Sequence, residues 1–163
     1  MQYRILGKTG MKVSRISLGG IPIQQLDQDD ANKLIEKALE YGINFIDTAR
    51  GYTVSESLIG GALSGKRQQV FLATKSMARD KEGFKRDIEI SLNNLKTDYI
   101  DLYQFHNIIN LQELEKVMAK GGALEAMLEY KDKGIIKSIG ITGHSPEVIE
   151  KAIEYDVFET IQY

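Results

Sequence analysis

Hydrophobic positions along the chain alternate between helical stripes and short β-rich runs. Ala31, Leu34, Ile35, Ala38 and Leu39 recur at the spacing of a helix with one buried face, and Gly42 follows as a stop signal. Phe84, Ile88, Leu92 and Leu95 make a second such stripe. Residues 111–133 carry a third helical pattern, broken by Gly121-Gly122, which predicts a short helix followed by a longer one. Residues 146–155 predict a last helix. Ser145 is its cap and Pro146 its first residue, where the missing N–H costs nothing. Its expected buried face is Ile149, Ala152 and Ile153.

Between these stripes lie short β-rich runs. Residues 3–6 and 12–14 flank Gly7-Lys8-Thr9-Gly10 and predict a hairpin. Later runs end at Gly20, Asp47, Lys75, His106, Thr142 and Gln162. Val70-Phe71-Leu72-Ala73 and Ile135-Ile136-Lys137-Ser138-Ile139 have the β-branched character of parallel strands covered by helices. Six strands at a step of roughly 30 residues match a TIM (β/α)8-type barrel, whose usual total is about 250 residues. The expected fold is therefore α/β and incomplete: an N-terminal hairpin plus about six β/α units, in one domain over residues 1–163. A doubly wound sheet shares the same alternation, so periodicity does not separate the two.

The strand ends do separate them, because a TIM barrel gathers its chemistry at the C-terminal ends of its strands. Here those ends bear Asp47, Lys75 and His106, with Tyr52 just beyond the second. An ammonium beside a phenol is expected to lower the phenol's pKa towards that of a useful acid. A carboxylate keeps the ammonium charged and fixed, and a neutral imidazole orients a substrate oxygen. Together they suit protonation of a carbonyl oxygen while a hydride reaches the carbon.

Each residue also has an ordinary reading. An aspartate after a strand caps turns, a strand-end lysine is a solvated charge, and a lone histidine is packed or on the surface. It is their joint placement at consecutive strand ends that points to a site. Glu56 is read as support for its helix through the macrodipole. Gly19 and Gly20 are read as permitting close backbone approach, and Arg79-Asp80-Lys81-Glu82 as a solvated loop and helix start.

Composition narrows the function classes. A net charge of -2 gives no electrostatic case for nucleic acid or a membrane surface. No cysteine is present, so disulfides, thiolate metal sites and thiol catalysis are excluded within the chain, and no metal site is expected. No apolar run is long enough to span a bilayer. Met1 leads straight into the first strand without a basic-then-apolar leader, so a soluble cytoplasmic protein is expected.

Asn44-Phe45-Ile46-Asp47-Thr48-Ala49-Arg50-Gly51-Tyr52, continued by Ser55-Glu56-Ser57-Leu58-Ile59-Gly60, resembles the aldo-keto reductase motif with Asp and Tyr five apart. Ala73-Thr74-Lys75 resembles the family's lysine strand, and Leu102-Tyr103-Gln104-Phe105-His106 its histidine strand. The opening stretches at residues 4–10 and 13–20 resemble its hairpin and first strand. The resemblance implies NAD(P)H-dependent reduction of a small aldehyde or ketone. By it, Tyr52 is the proton donor, Lys75 its pKa modifier, Asp47 the lysine's partner and His106 the carbonyl-orienting group. The cofactor contacts it implies are Thr142 in place of a serine, and Gln162; Gly20, read as allowing close approach at the mouth, is a further candidate. Gly143 has no amide where the family has asparagine, and His144 is the candidate to take over that contact. Gly19-Gly20-Ile21-Pro22-Ile23-Gln24 and Gly140-Ile141-Thr142-Gly143-His144 further resemble a bacterial and archaeal subgroup with a C-terminal ferredoxin-like iron–sulfur domain. With no cysteine here, that feature belongs to a parent protein.

The family's phosphate-gripping loops follow strands seven and eight, which these residues do not reach. NADPH or NADH is therefore expected to bind weakly. The open sheet is expected to associate with another copy or with a missing C-terminal segment. A non-catalytic half-barrel, serving only as an assembly subunit, is the alternative reading.

Overall fold

A computed structural model describes all 163 residues. The hairpin forms as predicted, with β1 (Tyr3–Ile5) antiparallel to β2 (Lys12–Ser14). Strands and helices then alternate: β3 (Leu18–Gly19), α1 (Gln28–Glu40), β4 (Phe45–Asp47), α2 (Ser55–Ala62), β5 (Phe71–Ser76), α3 (Lys81–Leu95) and β6 (Ile100–Phe105). The broken pattern gives α4 (Leu111–Met118) and α5 (Ala123–Asp132), followed by β7 (Ile136–Thr142), α6 (Pro146–Glu154) and β8 (Thr160–Gln162).

All six later strands are parallel and lie in chain order, β3-β4-β5-β6-β7-β8. A doubly wound sheet would reverse order at a switch point. This one does not, and it curls into an incomplete TIM-type barrel.

Strand alternation sorts side chains to two faces. On the outer face, Tyr103 and Phe105 of β6 pack with Phe84 of α3, at ring-centroid distances of 5.3 and 5.0 Å. They belong to the main apolar cluster under the helices. On the inner face, Ala73 and Leu102 join Met11 and Val13 of the hairpin in a second, smaller cluster. The hairpin thus plugs the bottom of the curled sheet. It also reaches the far edge, since Lys8 N–H donates to the Glu159 carbonyl at 3.1 Å.

Two helix faces differ from expectation. Leu34 is exposed, because the buried stripe of α1 is centred on Ala31, Ile35 and Ala38 and Leu34 falls at its rim. On α6 the buried residues are Val148 and Ala152, while Ile149 is half-buried and Ile153 is 59% exposed. This helix packs on α4 along a narrow face, and Ile153 lies more than a quarter-turn away from it. Ser145 occupies the cap position but makes no side-chain capping bond.

Candidate active site

Asp47 ends β4 and Lys75 lies one residue before the end of β5, both on the inner face. Lys75 Nζ donates to Asp47 Oδ2 at 2.6 Å and to the Thr48 carbonyl at 2.8 Å. Gln104, on the same face of β6, donates to Asp47 Oδ1 at 3.2 Å. Gly140 makes room for this contact: a Cβ there would lie 2.9 Å from Gln104 Cγ and 2.4 Å from Thr160 Oγ1.

Tyr52 rides on the turn between β4 and α2. Its N–H donates to the Ala49 carbonyl at 3.0 Å and its carbonyl accepts from Ser55 N–H at 2.7 Å, so the turn is closed on both sides. Its ring has Lys75 Nζ 5.3 Å from the centroid, and the His106 ring edge-on at 5.7 Å. Asp47, Tyr52, Lys75 and His106 therefore meet at one end of the sheet.

The electrostatics differ from the sequence expectation at one point. The Tyr52 phenol is raised above its ordinary pKa, first by burial and then by the negative charge of Asp47. Lys75 does not lower it, because its charge is paired with Asp47 at hydrogen-bond distance. Burial pulls Lys75 itself down, against the opposing pull of Asp47. His106 is lowered to about 4, by burial first and then by the charges of Lys75 and Arg79. It is the neutral imidazole that an orienting role requires. Its Nδ1 is sealed from solvent without a partner, which leaves Nε2 as the nitrogen open to the mouth.

The residues read as cofactor contacts are placed unequally. Thr142 and Gln162 are register partners at the last rung of β7 and β8, and Gly143 N–H donates to the Gln162 carbonyl at 3.1 Å. Thr142 Oγ1 accepts from Asn107 N–H at 2.7 Å and keeps its own proton to donate. His144 is exposed. Gly143 is tight for a reason of its own, since a Cβ would sit 2.8 Å from the Ile108 carbonyl oxygen. At Gly20 the close approach is to the protein's own Thr48 and Ser55, at 2.7 and 2.8 Å from a built Cβ. The Gly20 N–H and carbonyl are both engaged, by the Asp47 carbonyl and Ser55 Oγ. It is Gly19, with open space around its α-carbon, that faces a cavity of about 290 Å³ inside the curl. Ser17, Asp47, Gln104 and Gln162 also line that cavity, whereas Tyr52 and His106 do not. A larger hollow of about 420 Å³ lies by Tyr3, Lys12 and Gln69 and holds none of these groups.

The pattern matches a known family. Residues 15–162 fit the model of the aldo/keto reductase family. The chain belongs to that family. Among aldo/keto reductases, the protein YhdN of Bacillus subtilis is 35% identical over 181 residues, covering 99% of this chain and 53% of the relative. L-galactose dehydrogenase of Arabidopsis thaliana is 34% identical over 159 residues, covering 88% of this chain and 49% of the relative. In structure, the holo form of aldo-keto reductase AKR11C1 from Bacillus halodurans superposes with a TM-score of 0.86 at 31% identity. That match takes in 100% of this chain and 58% of the other. An aldo-keto reductase from Klebsiella pneumoniae, in complex with NADPH, gives a TM-score of 0.78 at 26% identity over 94% of this chain and 54% of its own. The chain spans about half the length of the curated relatives it matches. No helix is long and apolar enough to cross a membrane.

Three residues around this cluster go beyond the sequence reading. Gln104 shares the inward parity of Leu102 and His106, and that parity was the available signal. Glu56 sits in the first turn of α2 as expected and does more than support it: it is 1% exposed and accepts from Thr74 Oγ1 at 2.8 Å, Asn94 Nδ2 at 3.2 Å and Arg50 Nη1 at 3.4 Å. It ties α2 to β5 and α3 directly behind the Tyr52 turn. Arg79 is not a solvated charge either, and lies half-buried under His106.

Proposed function

We propose that residues 1–163 act as one partial barrel domain supplying the proton-transfer groups of an NAD(P)H-dependent reductase of small aldehydes or ketones. The convergence of Tyr52, Lys75, Asp47 and a neutral His106 at one sheet end carries this reading. His106 Nε2 orients the substrate carbonyl. As negative charge grows on that oxygen, Tyr52 donates its proton to it. Asp47, held by Gln104, fixes Lys75 against the Tyr52 ring, and burial together with the Asp47 charge keeps the phenol protonated until it donates.

The nicotinamide, when bound, supplies the hydride that reduces the carbonyl carbon. Its carboxamide suits the donor hydroxyl of Thr142 and the exposed amide of Gln162, paired at the rim beside the open α-carbon of Gly19. His144, exposed on the next loop, is the candidate third contact. Gly20 serves that rim by packing the β3 end onto Thr48 and Ser55.

The test follows NADPH oxidation with a panel of aldehydes and measures NADPH binding in parallel. Tyr52→Phe is expected to lower turnover about 100-fold or more, the usual scale for a positioned general acid, with cofactor affinity nearly unchanged. Turnover retained in that variant removes Tyr52 from the acid's role. A chain that binds no NADPH even at millimolar concentration is instead a non-catalytic half-barrel.

A further inference from the structure

We infer that Arg79, anchored by Glu113, is a positioning residue that fixes the backbone and ring of His106. The inference rests on the carbonyl-orienting role proposed for His106.

Arg79 lies three residues past the end of β5. Its Nη2 donates to the carbonyl of His106 at 2.9 Å and to that of Asn107 at 3.0 Å. Two successive carbonyls face one nitrogen only where the chain turns sharply between them. Asn107 provides that turn with φ of 53°, in the left-handed region that non-glycine residues seldom enter. The other side of the turn is held as well. His106 N–H donates to the Ser76 carbonyl at 2.8 Å, and Asn107 N–H to Thr142 Oγ1 at 2.7 Å. All four backbone polar groups of residues 106 and 107 are thus engaged, and Arg79 alone serves both carbonyls.

This grip matters because the imidazole has no hydrogen-bonded partner of its own. Nδ1 is sealed without one, so the bond that usually fixes a functional histidine ring is missing here. Ring direction is set by the backbone beneath it and by the edge contact with Tyr52.

Arg79 is itself anchored through Nε and Nη2, while its Nη1 is buried without a partner. Nε and Nη2 donate to Glu113 Oε2 at 3.1 and 2.8 Å, a charge-assisted pair from the first turn of α4. Asn110 Oδ1, accepting from Glu113 N–H at 2.9 Å, caps that turn. The Arg79 carbonyl accepts from Ala123 N–H at 3.0 Å, beside an isolated bridge between Asp80 and Gly122. Gly122 has no room for a Cβ, which would lie 2.3 Å from the Lys116 carbonyl oxygen. The glycine pair that splits α4 from α5 therefore forms the floor on which Arg79 stands.

The charged groups around His106 are Lys75 from β5, Asp47 from β4 beyond it, Tyr52 from the following turn, and Arg79 with Glu113. Among these Arg79 is a cation that disfavours imidazolium and contributes to the lowered titration of His106.

The chain has only two histidines, so histidine-selective NMR reads His106 directly, with exposed His144 as internal reference. In Arg79→Met the His106 midpoint should rise, since a nearby cation is removed. In Arg79→Lys it should stay low, because the charge remains. In Arg79→Lys and in Glu113→Gln the His106 ring signals should nevertheless move or broaden, since lysine is one atom shorter than the path to Nη2 and lacks the Nε bond to Glu113. His144 signals should stay where they are. A brace that served stability alone would leave the His106 ring signals and midpoint unchanged in a folded variant, and that result overturns the inference. If Arg79→Met does not fold, Arg79→Lys and Glu113→Gln decide through the ring signals. Because the readout needs no turnover, shifted His106 signals in a chain that reduces no carbonyl would uphold the positioning role while the reductase reading fails.

Discussion

Lys75 Nζ lies 2.6 Å from Asp47 Oδ2 and 2.8 Å from the Thr48 carbonyl, so the lysine charge is bound to β4 rather than aimed at the phenol beside it. The pair is largely buried, with side-chain exposures of 3% and 16%. Burial is the first cause of three shifts that belong together: a lowered Lys75, against the pull of Asp47, a raised Tyr52 and a neutral His106. In this state the site holds its acid protonated and its ring base uncharged, as proton donation to a carbonyl oxygen requires.

Asp47→Asn should expose that balance. Removing the carboxylate takes away the charge that raises both groups, so Lys75 should titrate lower still and the Tyr52 phenol should also fall. The stranded ammonium should lower folding stability by about 3 kcal/mol, the lower end for breaking a buried pair. Denaturant unfolding checks the stability, and carbon NMR of labelled tyrosine rings checks the phenol. A Tyr52 midpoint that rises in the variant would contradict the assignment.

Much of this was legible along the chain, and the part that was not has a common cause. Strand ends at Asp47, Lys75, His106, Thr142 and Gln162 followed from short β-rich runs between stripes of period 3.6, because parallel strands covered by helices read as near-continuous apolar runs. Gln104, Arg79 and the wider role of Glu56 were missed because most of their partners lie 18 to 57 residues away. Local periodicity says which side of a strand faces inward, but not which polar atom waits there. Ile153 failed differently. Its helix offers two overlapping apolar stripes, and only the packing against α4 selects Val148 and Ala152.

Gly7 tests whether the hairpin joins the first and last elements of the curl. It has φ of +49°, and a Cβ built on it falls 2.1 Å from the Glu159 carbonyl oxygen. Gly7→Ala therefore adds left-handed strain, of roughly 1 kcal/mol, to a clash with backbone that must shift. The variant should lose about 2 kcal/mol or more in denaturant unfolding. Amide exchange should rise first around Lys8 and Glu159, whose hydrogen bond is the link between the hairpin and the entry to β8. Unchanged exchange there would mean that the plug does not couple the two ends.

His106 also makes folding stability depend on pH in a window of its own. Its folded value of about 4 lies below the ordinary 6.5, so between these values the unfolded chain binds more protons than the folded one. Stability from the neutral ring is complete above about pH 6.5, declines as pH falls, and is gone once pH passes below the folded value. The carboxylates with depressed values act lower. Glu129 is held at about 2 by Lys81 and Lys85, and Asp156 is lowered by Lys8, so their contributions are lost only at more acid pH. Comparing unfolding of the wild type with His106→Gln at successive pH values isolates the histidine. The difference in stability should be flat above pH 6.5 and should shift against the wild type between 6.5 and about 4. A difference that stays level across that interval would show that His106 is solvated enough to charge freely, and would remove the neutral imidazole on which its orienting role depends.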